Sequence, residues 1–147
     1  VYYSDMGDLS PTETLTAQSQ MAVGTNASAG FVITALGAPL SAGTTTIPSL
    51  LTPTQSNPGV NQFGINLVAN SNPGIGLDPE GVWANATTAP DYGQADRYKF
   101  IDGDIVASSP NVSLMKKFTV SYIVNVSPSL KAGVYTTTIN FVASGRF

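Results

Sequence analysis

Few side chains in this sequence could do chemistry. Its 147 residues include nine carboxylates and six bases, with no Cys and no His. Without a thiolate or an imidazole there is no zinc finger, no Ser-His or Cys-His pair and no disulfide framework. The carboxylates remain. Asp102-Gly103-Asp104 resembles the start of a calcium loop, and Asp91 and Asp96 could join it in space. Calcium takes several oxygen ligands, and an EF-hand closes its loop with a Glu. Ile105 to Ser109 follows here without a carboxylate, so a turn is the simpler reading. A glycosidase needs two carboxylates across a cleft. Glu13 and Glu80 are the only glutamates, one near the terminus and one in the turn Asp78-Pro79-Glu80-Gly81. The lysines, Lys99, Lys116, Lys117 and Lys131, could form a Lys–Asn amide if one were buried beside a carboxylate. Three of the four fall at expected strand ends or turns, where lysines are exposed. The sequence therefore reads as a non-enzyme, with no catalytic, cofactor-binding or metal residues to assign.

Two aromatic residues stand out in the loop-rich middle of the chain. Trp83 and Tyr92 could form an exposed platform for a sugar ring. The alternative, favoured for large aromatics, is that Trp83 caps the core. Four Asn-x-Ser/Thr sequons begin at Asn26, Asn85, Asn111 and Asn125, and matter only in a host that glycosylates.

The elements that would carry these residues follow from composition and period. Only 10% of residues are charged and the net charge is -3, against about 25% charged in an ordinary domain. Six bases make no phosphate-tracking surface, which argues against nucleic acid. Ser (15), Thr (16) and Asn (10) fill the space left by charges, with 14 Gly and 10 Pro. At 42% hydrophobic the chain still has a core to build. Helical periodicity is nearly absent and alternation is frequent. Residues 117–127 place Phe118, Val120, Tyr122, Val124 and Val126 on one face. Thr119, Ser121, Ile123 and Asn125 fall on the other. A loop through Pro128 and Gly133 leads to a strand over 135–143, and the two are expected to form a hairpin. Residues 15–23 and 31–36 alternate likewise and suggest a second hairpin. Residues 63–69 form a further strand. Weaker candidates are 81–84 and 97–101, with short edges at 44–47 and 104–107 and a helical turn at 92–97. The expected fold is an all-β antiparallel sandwich, Ig-like or jelly-roll-like, with long loops. Residues 1–13 form an N-terminal segment and candidate donor strand, and 14–147 a single domain. On the strands, Thr16, Gln18, Gln20, Thr119, Ser121 and Asn125 are expected to face outward.

No run approaches the ~20 apolar residues of a membrane-spanning helix. Val1-Tyr2-Tyr3-Ser4-Asp5 lacks the basic start and apolar stretch of a signal peptide, as expected for a mature exported chain.

Several segments carry a resemblance. They are Gly30-Phe31-Val32-Ile33-Thr34, Thr44-Thr45-Thr46-Ile47-Pro48, residues 63–70, residues 98–109, residues 118–127 and residues 132–138. Together, across roughly residues 15 to 147, they resemble secreted surface proteins of Candidate Phyla Radiation bacteria of the Saccharibacteria-like kind. The C-terminal half is similar to the WxL-type cell-wall-associated β domains of Gram-positive bacteria. The Trp-x-Leu signature is missing, because Ala84-Asn85 follows Trp83. The resemblance implies a β fold and a secreted, extracellular or cell-surface location, and carries no catalytic residues.

The functional expectation is a structural subunit of an extracellular, pilus-like filament, a head-to-tail homopolymer built by strand addition. Val1, Tyr2, Tyr3, Met6 and Leu9 would be the assembly residues. The alternative is a surface adhesin or carbohydrate-binding module that meets cell-surface glycans through Trp83 and Tyr92.

Overall fold

A computed structural model describes residues 3–147. Nearly every regular element is a strand. They are β1 (Leu15–Thr25), β2 (Phe31–Gly37), β3 (Ser41–Ala42), β4 (Thr45–Thr46), β5 (Gln62–Asn66), β6 (Thr87–Thr88), β7 (Ile105–Ser109), β8 (Ser113–Asn125) and β9 (Ile139–Gly145). The one helical element is a single 3-10 turn at Pro90–Tyr92. That turn lies just before the 92–97 stretch where the sequence suggested one.

Two sheets face each other, as the all-β antiparallel sandwich reading requires. One has the order β1-β8-β5 and the other β6-β7-β2-β9, with β3-β4 a separate small ribbon. Every strand ladder is antiparallel. The core between the sheets comes from the alternation itself. Phe31, Ile33 and Ala35 of β2, Phe63 and Ile65 of β5, and Phe118, Val120 and Val124 of β8 are all buried in one cluster. Phe63 and Phe100 meet edge to face, ring centroids 5.3 Å apart.

Both expected hairpins are absent. β8 pairs with β1 and β5, whereas β9 pairs with β2, so the two lie in different sheets. β1 and β2 likewise lie in different sheets. The residues between β1 and β2 form an arch that crosses the core. In it Thr25 Oγ1 accepts from the Ala27 amide at 3.0 Å, and the Gly30 amide donates to the Ala27 carbonyl at 3.0 Å. Ala27 itself is buried, which a hairpin tip would not be. The weaker candidates also resolve. Residues 81–84 are a turn, and residues 97–101 make only isolated bridges, Thr54 to Tyr98 and Ile65 to Lys99.

The polar face of β8 is a second correction. Thr119, Ser121 and Asn125 were expected to face water, yet each is buried. Loops cover them. Asn125 Nδ2 donates to Ser56 Oγ and Gln62 Oε1 at 2.9 Å, and Thr14 Oγ1 donates to Asn125 Oδ1 at 2.7 Å. Gly76 lies so close above Ser121 that a Cβ there would collide with the hydroxyl. On the neighbouring strand the expectation holds for Gln18 and Gln20, which are exposed, and Thr16 is half-buried.

Gly30 fixes the arch. Its φ is +76°, and a Cβ would run into the Ser109 carbonyl. Gly103 has a similar φ of +88° but open space around it. Gly30→Ala is expected to cost about 2–4 kcal/mol, from left-handed strain plus overpacking, and Gly103→Ala about 1 kcal/mol, from strain alone. Urea denaturation of the two variants checks the order, and equal costs would refute it.

Candidate functional site

The two flanks of the sandwich are closed differently. On one flank, the outer edge of β5 is fully engaged. The Phe63 amide donates to the Pro48 carbonyl at 3.0 Å, the Leu50 amide donates to the Phe63 carbonyl at 2.8 Å, and Ile65 exchanges both bonds with Lys99. The Leu67 amide then donates to the Tyr92 carbonyl at 2.9 Å, which ties β5 to the 3-10 turn beside β7.

The other flank is open. β1 and β9 are its edges, each paired on one side only. They share this flank because the arch leaving β1 touches the end of β9. The Ala29 amide donates to the Arg146 carbonyl at 3.0 Å, and Gly145 lies against Ala27. The inward-facing residues of β1 are Leu15, Ala17, Ser19, Met21 and Val23, set by pairing with Val124, Tyr122, Val120, Phe118 and Lys116. All five are half-buried rather than buried. On β9, Ile139 and Phe141 face inward and are half-buried, and Ala143 is exposed. The apolar interior is therefore partly uncovered along this flank. Neither edge carries a single Lys, Arg, Asp, Glu or Pro.

The expected assembly residues are placed as follows. Val1 and Tyr2 lie outside the described residues. Tyr3 is exposed, and Met6 and Leu9 are half-buried against the core of their own domain. Residues 3–10 make no strand ladder.

The two aromatic ligand candidates part company. Trp83 is 88% exposed, so it does not cap the core. Its φ of +59° is a left-handed conformation that costs a residue with a Cβ about 1–2 kcal/mol. Tyr92 is buried at 1% exposure, which corrects its reading as a stacking surface. Its hydroxyl donates to Asp104 Oδ2 at 2.8 Å. Burial, with Asp104 beside it, pushes its phenol far above the usual tyrosine value.

Among the described residues no three acids gather to hold a metal. Asp104 and Asp91 both hold Lys99, at 2.9 and 2.8 Å. The ammonium sits 5.4 Å from the Tyr92 ring centre. Burial alone would lower Lys99, but the two carboxylates outweigh it and hold the ammonium above its ordinary value. This lysine is a charged anchor rather than an amine nucleophile, and no Asn adjoins it through a hydrogen bond. A cleft of about 320 Å³ opens beside these groups, walled by Pro90, Asp91, Tyr92, Lys99 and Asp104. Asp102 accepts from the Gly37 amide at 2.9 Å in the turn that the simpler reading anticipates. Asp96 accepts from the amides of Asn72 and Ser71 and from the Ser71 hydroxyl, each at 2.7 Å. Those bonds hold its carboxyl below the usual carboxylate range.

Among the sequons, Asn26 and Asn111 are exposed and Asn125 is buried. Asn85 is held by Asn111, by the Val112 carbonyl and by the Ser109 hydroxyl. Sequence reading missed the flank itself. Its only signal was the absence of charge from two long alternating segments.

Two tests concern buried groups. Tyr92→Phe removes a bond to a carboxylate and should cost about 1–2 kcal/mol, whereas Tyr98→Phe removes a buried hydroxyl without a partner and should cost nothing. Guanidinium denaturation distinguishes them, and the reverse order would contradict both assignments. The Asp96 bonds predict an acid sensitivity. The folded pKa is below the unfolded one, so the stabilisation is complete above the ordinary aspartate value and fades as pH falls through the folded value. Asp96→Asn should lower the denaturation midpoint at neutral pH and flatten its decline in acid. An unchanged slope would show that Asp96 does not contribute to it.

Compared with known proteins, the chain matches no family model, no curated protein and no solved structure.

Proposed function

We propose that the protein is the structural subunit of an extracellular filament, assembled by strand addition between copies. The open flank carries this reading. β1 offers eleven residues of unpaired edge, roughly 36 Å at ~3.3 Å per residue, and β9 offers seven more. Soluble β proteins block such edges with Lys, Pro or an inward charge, and neither strand has any. A strand laid along this flank would gain backbone hydrogen bonds and cover Leu15, Met21, Val23, Ile139 and Phe141.

The donor is the segment up to Ser10 of the preceding copy. Residues 3–10 have no ladder to give up, and the contacts they would release are those of the half-buried Met6 and Leu9 with the core. Donor and acceptor are different surfaces, so the contact is head-to-tail and does not close on itself, which yields a fibre. No helix in the described residues is long and apolar enough to cross a membrane. A chain poor in charge and free of Cys suits a surface setting, and contact with glycans would be through exposed loops.

Negative-stain images of the purified chain should show fibres, and the variant lacking residues 1–10 should remain a folded monomer. Ala17→Lys and Ala143→Lys place a charge on the inward face of each open edge and should cut fibre yield at least tenfold, with unchanged thermal melting for the exposed Ala143 and a lowered melting for the half-buried Ala17. Fibres in the truncated protein would sink the donor assignment. Normal fibres in both Lys variants would sink the flank.

A further inference from the structure

The exposed large apolar residues are not scattered evenly. Val82, Trp83, Leu114 and Met115 are each more than half exposed, and they belong to one end of the sandwich. The backbone links between their segments show this. Glu80 and Lys117 exchange both backbone bonds, at 3.0 and 2.7 Å. Gly81 packs against the Met115 carbonyl and the Lys116 side chain. Asn85 ties the same turn to Asn111 and Val112. Ser113, at the start of β8, is paired with Thr25, at the end of β1.

The opposite end is where β1 begins. There Thr14 hydrogen-bonds Ser56 and Asn125, and the segment ahead of it enters. The two ends differ in charge. Residues 1–13 carry Asp5, Asp8 and Glu13 and no base, while Lys131, in the loop from β8 to β9, is the one lysine at that end. The Trp83 end carries Lys116, Lys117 and Arg146. Of these, Lys117 is paired with Glu80 at 2.7 Å, and the Arg146 backbone is bonded to the arch.

We propose that the Trp83 end is the second half of the subunit contact. It docks on the β1-start end of a neighbouring copy, close to where that copy's acidic segment leaves its domain. This rests on the filament reading and adds a partner for a surface that reading does not use. Three observations choose a second copy over a glycan. The exposed large side chains at this end besides Trp83 include the aliphatic Val82, Leu114 and Met115. Tyr92, the other stacking candidate, is buried. The bases at this end complement the acids of the donor segment. The left-handed backbone at Trp83 fits the same role, because it holds a large ring outward at some cost in strain.

Trp83 is the only tryptophan, so its fluorescence reports this surface alone. In monomer (the Lys variants of the flank, or protein at high salt) its emission should be water-like and freely quenched by acrylamide. In fibres it should shift to the blue, with quenching reduced several-fold. Trp83→Ser should lower fibre yield at least tenfold without changing thermal melting. A synthetic peptide of residues 1–10 should still bind that variant as it binds wild type. Fibre yield should fall with added salt, through screening of the paired ends. Fibres with freely quenched Trp83, or undiminished fibres of Trp83→Ser, overturn this proposal and leave the filament reading intact. So does saturable binding of a glycan that blue-shifts Trp83 in monomer. Failure of wild type to form fibres under any salt condition removes the filament reading, and this proposal with it.

Discussion

Backbone hydrogen bonding at the edges of the sheets governs the architecture. A buried sheet edge must find partners, and the chain spends most of its irregular length supplying them on one side. Residues 48–50 and 97–100 run along β5 and satisfy its outer groups, and the 3-10 turn locks them against β7. The Lys99 anchor, with Asp91 on that turn and Asp104 next to β7, fastens the same side. Among the described residues no segment hydrogen-bonds along the outer edge of β1 or β9, and residues 74–77 face Thr16–Gln18 only across a cleft. The sandwich is finished on one flank and left open on the other, and that asymmetry is what the proposed function uses.

The covering loops are held by neutral amides and hydroxyls as well as by the Asp96 carboxylate and the Lys99 anchor. Asn66 Nδ2 donates to the carbonyls of Gln94 and Arg97, and Asn70 Nδ2 to those of Val68 and Ile75. Asn66 thus pins the 94–97 loop to β5, and Asn70 closes its own loop from 68 to 75. Asn125, Gln62, Ser56 and Thr14 do the same on the face of β8. Buried networks of this kind are costly when incomplete and rigid when satisfied. Low charge content follows from this construction: amides and hydroxyls can be buried in pairs at far lower desolvation cost than ions.

The parts of the fold that were legible are those set by period two. Phe118, Val120 and Val124 are core residues because alternation says so, and the same holds for Phe31, Ile33 and Ala35. Pairing was not legible. A short Gly- and Asn-containing connection suits a hairpin or an arch equally, and the choice between them lies in what Ala27 packs against, far along the chain. The burial of Ser121 and Asn125 was hidden for the same reason, since their covers come from residues 14, 56, 62 and 76. Trp83 and Tyr92 have similar surroundings in sequence, yet opposite fates. Tyr92 has Asp104 to receive its hydroxyl and a core to fill, whereas Trp83 sits at a turn tip with no cavity behind it.

The order of charges along the chain becomes in part an order in space, with Lys131, in the loop leaving β8, the exception. All six bases lie at or after Arg97, and the first three acids lie before β1. Because β8 runs antiparallel to β1, the bases at its start come to the end of the sandwich opposite the acidic segment. A monomer gains nothing from this separation, since charges so far apart are screened from each other. Stacked copies bring the unlike ends together at every junction. With uncharged edges along the flank and unlike charges at the ends, side-by-side contacts between copies in the same orientation receive little electrostatic help. In the proposed filament, end-to-end contacts would receive it at every step, so charge would select the direction of growth while the open edge would supply the bond.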